Sequence, residues 1–244
     1  MPSRSPAPAV DQARLRDAVV AAGRRLGAHG LIAAGEGNLS IRLPGGRLLI
    51  TPSGRRKDEL SADALCVAQA ARGSSARSSG GRPSSDIAIH RAIYAARPDV
   101  RAVVHAHLPA AMSLTLAGIV PDPAVLPETA LLLPRVPHVP FAPAGSEELA
   151  GAVAAAFADG PGSPPGAVLL ERHGAIAVGD ATGDIVAALE QAVDRLELVE
   201  VLCRAWRDAL LVRAAATALG PEAILRPPDT SPGTPARGRR GRNR

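Results

Sequence analysis

Two of the six histidines stand two positions apart in Val103-Val104-His105-Ala106-His107, an alternating, β-branched run that reads as a strand. Both imidazoles then leave the same face, which is metal-ligand geometry. A third candidate is His173, set between an apolar strand and Gly174, where a tight turn can aim a ring into a pocket. Three neutral imidazoles with one open position suit a catalytic Zn2+. His29 and His138 lack such a setting and read as helix-end or surface residues, while His90 and Tyr94, one helical turn apart, read as packing residues against a sheet.

Asp86 follows Ser84 and Ser85 at a helix start, and on that ground alone it is a capping aspartate. The same place can hold an anion on the free helix N–H groups and the two hydroxyls. Gly35-Glu36-Gly37-Asn38 and Thr51-Pro52-Ser53-Gly54 are of the same kind, small and rich in donors. None has the Gly-Lys-Ser/Thr ending of a Walker loop. Each alone is a turn; three converging would make a phosphate cradle.

Composition narrows the chemistry. Of 28 basic residues one, Lys57, is lysine, and it lies in the charged run Arg55-Arg56-Lys57-Asp58-Glu59, where solvent exposure is expected. A Schiff-base mechanism needs a desolvated lysine, so carbon–carbon chemistry here is expected to use a metal. The formal charge of +5 comes largely from five arginines in residues 227–244, which leaves the rest nearly neutral, and with four aromatic residues there is little for bases to stack on. No nucleic-acid partner is expected. No apolar run approaches the roughly 18 residues of a membrane span, and MPSRSPAPAVDQAR has no secretory core, so no membrane partner and a cytoplasmic location are expected. Cys66 and Cys203 make no disulfide framework and read as small buried residues.

The positioning elements follow from periodicity. Residues 10–26 have helical spacing, ended by Gly27 or Gly30; Ser40–Leu43 and Arg47–Thr51 form a hairpin around Pro44-Gly45-Gly46; a helix runs from Asp86 to about Ala96. Residues 71–82 read as a flexible loop, 121–143 as a Pro-rich crossing, 146–158 as a helix, and Ala167–Leu170 with Ala175–Val178 as a strand pair interrupted at His173. Asp184 opens the longest helix, whose stripe Ile185, Leu189, Ala192, Leu196, Val199, Cys203, Trp206 and Leu210 faces a core. Residues 1–8 and 227–244 are expected to be disordered, leaving one domain over 9–226. Helices and strands without a strict βαβ rhythm suggest a layered α/β or α+β fold.

Five segments in order, Gly37-Asn38-Leu39-Ser40, Leu49-Ile50-Thr51-Pro52-Ser53-Gly54, Pro83-Ser84-Ser85-Asp86 with His90, Val103-Val104-His105-Ala106-His107 and His173-Gly174, resemble the class II aldolase/adducin family over about residues 10–212. The resemblance implies a single three-layer α/β/α domain with a mostly antiparallel central sheet, and a homotetramer with active sites between subunits. It implies that His105, His107 and His173 hold Zn2+, one per chain, that Asp86 ligates the metal or moves the proton, and that Gly37, Asn38, Ser53, Gly54, Ser84 and Ser85 bind the phosphate of a small sugar-phosphate substrate. In the aldolase members the metal stabilises the charge left by carbon–carbon cleavage, which agrees with the lysine argument.

Three departures qualify the carry-over. Asp86 stands where fuculose-type aldolases have glutamate and so resembles the epimerases; Glu36 occupies a place usually small and neutral; and Tyr94, the only tyrosine, has no counterpart among those that the aldolases use. Glu128, in Leu126-Pro127-Glu128, is the candidate replacement acid, or a solvent-exposed loop glutamate. The expected activity is that of a zinc-dependent aldehyde-lyase cleaving a ketose phosphate of the fuculose 1-phosphate type into dihydroxyacetone phosphate and an aldehyde. The alternatives are a ribulose-phosphate 4-epimerase, a methylthioribulose-phosphate dehydratase using Glu128, and a non-catalytic adducin-like module, against which retention of all three histidines argues.

Overall fold

The structure, a computed structural model, describes residues 11–70, 81–158, 163–180 and 183–219. The loop expected over 71–82 falls mostly outside these residues, and both terminal segments fall entirely outside them.

Helix α1 (Gln12–Ala28) buries Leu15, Val19 and Leu26 on one stripe; Asp11 caps it by accepting from the Ala13 and Arg14 N–H groups, and His29 ends it. Strands β1 (Asn38–Leu43) and β2 (Arg47–Ile50) form the expected hairpin, and β3 (Cys66–Gln69) joins its outer edge. Helix α2 (Ile87–Ala96) leads to β4 (Ala102–Ala106), which pairs antiparallel with β1. The Pro-rich crossing is more structured than its composition implies. Prolines sit at first-turn positions of α3 (Pro109–Leu116), of a 3-10 turn at Pro123–Val125 and of α4 (Pro127–Leu132), where a missing N–H costs nothing, and the short β5 (His138–Val139) follows. Helix α5 (Glu147–Ala158), the hairpin β6 (Ala167–Leu170) and β7 (Gly174–Gly179), and the long α6 (Ile185–Leu219) complete the fold.

The seven strands lie in the order β3-β2-β1-β4-β7-β6-β5, antiparallel except for the β5–β6 pair. Every residue of β4, β6 and β7 is buried, so both sheet faces are covered. On one face α2 and α5 pack Ile89, Ile93, Tyr94, Leu149, Val153 and Phe157 against Leu48, Val103, Val168, Ile176 and Val178. On the other, α1 lies against β1, α3 against β7, and Ala188 of α6 against Gly179, where a Cβ would stand 1.7 Å from a carbonyl oxygen. This is the α/β fold with a mostly antiparallel central sheet that the sequence implied.

The chain divides into two compact units, residues 1–207 and 208–244; the sheet and all candidate site residues lie in the first. The α6 stripe is buried from Leu189 to Cys203, but Trp206 and Leu210 are only half-buried, so Trp206 is not the core residue its spacing implied. Cys66 and Cys203 are both buried.

Candidate active site

His105, near the end of β4, pairs with Ile176 of β7, while Asn38 of β1 faces it from the other side. Its Nδ1 lies 2.9 Å from the Ala175 carbonyl oxygen, which fixes the proton on Nδ1. Nε2 is then a bare acceptor, and it is buried without a partner among the described residues. His107 follows β4 immediately, with its ring centroid 4.9 Å from that of His105. His173 arrives from the β6–β7 turn, 4.8 Å from each of the other two rings. That turn is strained: Arg172 has φ 58° and Gly174 φ 102°, and a Cβ on Gly174 would stand 2.2 Å from the Ala106 carbonyl oxygen and 2.8 Å from His107 Cα. Only glycine lets the turn press His173 against the two strand histidines.

One ligand atom from each ring lies within 4.8 Å of the others. Burial lowers the affinity of all three imidazoles for protons; for His105 and His107 neighbouring imidazoles add to the effect, while Glu36 and Asp86 oppose it at His107 and His173. Three neutral rings and an orphaned buried Nε2 fit a divalent cation, because such a lone pair has no other means of satisfaction here. Glu36 Oε1 lies 3.6 Å from His107 Nδ1, too far for a hydrogen bond but close enough for its charge to be felt by the ring, while its Oε2 accepts from Ala33 N–H at 3.2 Å.

The rings of His107 and His173 open on a cavity of about 200 Å³, lined also by Glu36, Ser53, Lys57, Ser84, Ser85 and Asp86, with His105 behind them. The two serine-bearing segments are joined: Pro52 bridges Pro83, Ser53 N–H donates to the Arg82 carbonyl, and Ser84 N–H to that of Thr51. Gly37, at φ 68°, brings the third segment so close to β4 that a Cβ there would be 2.8 Å from the His105 carbonyl oxygen. The three donor-rich turns therefore converge beside the histidines.

Four residues have surroundings that the sequence did not specify. Asp86 makes no side-chain cap to α2; Ser84 Oγ accepts the Asp86 N–H at 3.3 Å, while the Asp86 carboxylate, 8% exposed, accepts from Asn38 Nδ2 at 2.8 Å. Asn38 lines the cavity, but its amide is occupied by Asp86 and, through Oδ1, by His90. Glu128 is exposed in the first turn of α4 and is not among the residues lining the cavity. Lys57 is 2% exposed rather than solvated, and it lines the cavity, so solvent exposure is no ground for setting aside a Schiff-base lysine here. Its backbone packs under α1 at Gly23, and Nζ donates to the carbonyls of Gly35 at 2.5 Å and Arg55 at 2.8 Å. Burial lowers its proton affinity, Asp86 partly restoring it, and the ammonium braces the turn that carries Glu36. Sequence reasoning also passed over Glu200, buried in α6, whose carboxylate accepts the Ala110 and Ala111 N–H groups at the start of α3, just beyond His107. Its i+4 spacing from Leu196 was the available signal.

Residues 17–207 match the family described as the class II aldolase and adducin N-terminal domain. The chain belongs to that family. It is 33% identical over 191 residues to the 3-oxo-tetronate 4-phosphate decarboxylase of Cupriavidus necator, a match that covers 77% of this chain and 84% of that protein. It is 43% identical over 98 residues to the methylthioribulose-1-phosphate dehydratase of Gluconacetobacter diazotrophicus, a match spanning 40% of this chain and 47% of that enzyme. Among solved structures, L-fuculose-1-phosphate aldolase from Thermus thermophilus superposes with a TM-score of 0.72 at 32% identity, over 83% of this chain and 97% of that one. These class II aldolase relatives are lyase-type enzymes, and the family typically uses a divalent metal. No described helix is long and apolar enough to cross a membrane.

Proposed function

We propose that this class II aldolase family member is a divalent-metal-dependent lyase, most simply a zinc enzyme, that cleaves a small ketose phosphate of the fuculose 1-phosphate type. The observation that carries the reading is the unpartnered Nε2 of His105 facing two further neutral imidazoles at a cavity with a serine-lined end. His105, His107 and His173 would hold the cation, which would supply Lewis-acid stabilisation of negative charge developing on a substrate carbonyl oxygen. Ser53, Ser84 and Ser85, with the backbone of Gly54 and the start of α2, offer hydroxyl and N–H donors to a phosphate. Asp86 borders both regions and would move the proton. The reading extends to a cytoplasmic homotetramer in which Glu128, exposed on α4, would be presented to the site of another copy.

Decarboxylation of a phosphorylated 3-oxo acid is the second reading, favoured by the match over 84% of the Cupriavidus enzyme. Both reactions leave electrons beside a carbonyl and differ in whether an aldehyde or carbon dioxide departs. The test is one panel: protein loaded with Zn2+, Mn2+ or Co2+ is offered L-fuculose 1-phosphate, 3-oxo-tetronate 4-phosphate and methylthioribulose 1-phosphate. Dihydroxyacetone phosphate, carbon dioxide and dehydrated product are assayed together. Metal-dependent release of dihydroxyacetone phosphate is expected; turnover unaffected by chelation would overturn the proposal.

A further inference from the structure

Behind Asp86 runs an unbroken file of buried polar side chains. Asn38 Nδ2 lies 2.8 Å from Asp86 Oδ2, Asn38 Oδ1 is hydrogen-bonded to His90 Nε2, His90 Nδ1 is 2.6 Å from Ser40 Oγ, and Ser40 Oγ is 3.0 Å from the Tyr94 hydroxyl. Ser40, His90 and Tyr94 are all buried and none lines the cavity, so none reaches a substrate held there. Asn38 and Ser40 share a face of β1, two positions apart, and His90 and Tyr94 share a face of α2, one turn apart.

Donor and acceptor chemistry fixes a single direction from Ser40 to Asp86. A carboxylate only accepts, so Asn38 turns its NH2 to Asp86 and its carbonyl to His90. Burial pulls His90 down to about 3, so the ring is neutral and has one N–H. That proton must be on Nε2 to meet the Asn38 carbonyl, which leaves Nδ1 an acceptor and makes Ser40 the donor. The single Tyr94 hydroxyl proton has two acceptors at 3.0 Å, the Ser40 carbonyl oxygen and Ser40 Oγ, so Tyr94 holds Ser40 in place from both sides. From Ser40 onward every proton points toward Asp86, and hydrogen bonds aligned head to tail polarise one another.

We propose that Ser40, His90 and Tyr94 are positioning residues for the Asp86 carboxylate, acting through Asn38, whose amide clamps that carboxylate. The kinetic part rests on the proposed function, in which Asp86 moves the proton. Breaking the file at its far end leaves the Asn38 amide free to rotate and lets the carboxylate drift, and a misplacement of about 1 Å is enough to slow a reaction as much as 10²-fold.

Two experiments test this. The first needs no turnover: ¹⁵N–¹H NMR of the histidine rings in the metal-free protein at pH 7. His90 is expected as the neutral Nε2–H tautomer with a slowly exchanging proton, whose resonance moves in Asn38→Ser and in Asp86→Asn. An Nδ1–H tautomer, an imidazolium, or a resonance indifferent to both changes would overturn the file whether or not the protein is a lyase. The second is a double-mutant cycle on the metal-loaded enzyme. Tyr94→Phe, and independently Ser40→Ala, is expected to lower kcat about three- to tenfold with metal content and KM retained, and to have no further effect in the Asp86→Asn background. Equal losses in both backgrounds would mean a purely structural role.

Discussion

Asp86→Asn separates the two uses a carboxylate at a helix start can have, because the structure gives the stability and the catalytic effects very different sizes. The α2 amino terminus takes no side-chain bond from Asp86, and Ser84 Oγ already accepts the N–H at position 86, so no cap is lost. What changes is the bond from Asn38 Nδ2, which passes from a charged to a neutral acceptor. Hydrogen bonds to charged groups contribute about 1.5–3 kcal/mol and neutral ones about 0.5–1.5 kcal/mol, so the variant is expected to be destabilised by about 1 kcal/mol. In a domain of this size that moves Tm by about 2–4 °C. Turnover is expected to fall about 10²–10⁴-fold, the range for loss of a general acid–base group, while zinc is largely retained. Calorimetry, elemental analysis of bound metal and single-substrate kinetics on the same preparation read all three quantities. Asp86→Glu restores the charge but pushes an extra methylene into a buried position, and should recover only part of the activity. An Asp86→Asn enzyme turning over within threefold of the parent would refute the assignment and transfer the role to Glu36.

Other expectations concern stability and reactivity. Gly174→Ala places a methyl 2.2 Å from the Ala106 carbonyl oxygen at φ 102°, and should destabilise by about 3 kcal/mol or more while abolishing metal binding, whereas Gly151→Ala, with nothing within 4 Å, should be neutral or stabilising; urea titration compares them. His90 and His105 have folded-state proton affinities depressed below the ordinary 6.5, so the unfolded chain binds more protons as pH falls below that value. Metal-free protein should therefore lose about 1.4 kcal/mol per pH unit for each of them below about pH 6, and equal stability at pH 7 and pH 5 would contradict their burial as neutral rings. Burial pushes the Cys203 thiol up to about 12 and raises Cys66 as well, so neither should react with a thiol reagent at pH 8 until guanidinium unfolds the chain.

The elements with strong periodicity were legible in the sequence: α1, the β1–β2 hairpin, α2, β4, α5 and the β6–β7 pair lie within two residues of their expected bounds. The region from 109 to 139 was not, because proline marks first-turn positions as well as loops, and composition does not distinguish them. His105 and His107 announce themselves through strand alternation, and His173 through the glycine beside it. Lys57 was misread because a run of charges looks solvated along the chain, yet a 3-10 turn against Gly23 directs one member inward. The file from Asp86 to Tyr94 joins residues up to 54 positions apart, and no local pattern shows that Ser40 and Tyr94 meet.

The central claim is that three histidines hold one divalent cation, and calorimetric titration of metal-free protein with Zn2+, paired with elemental analysis, tests it most directly. The parent chain should bind one ion per chain. His105→Ala, His107→Ala and His173→Ala should each lose most of that binding, His105→Ala removing the buried Nε2 that has no other partner, while His138→Ala on β5 should bind as the parent does. Full occupancy in all three site variants, or no binding by the parent, would contradict the account.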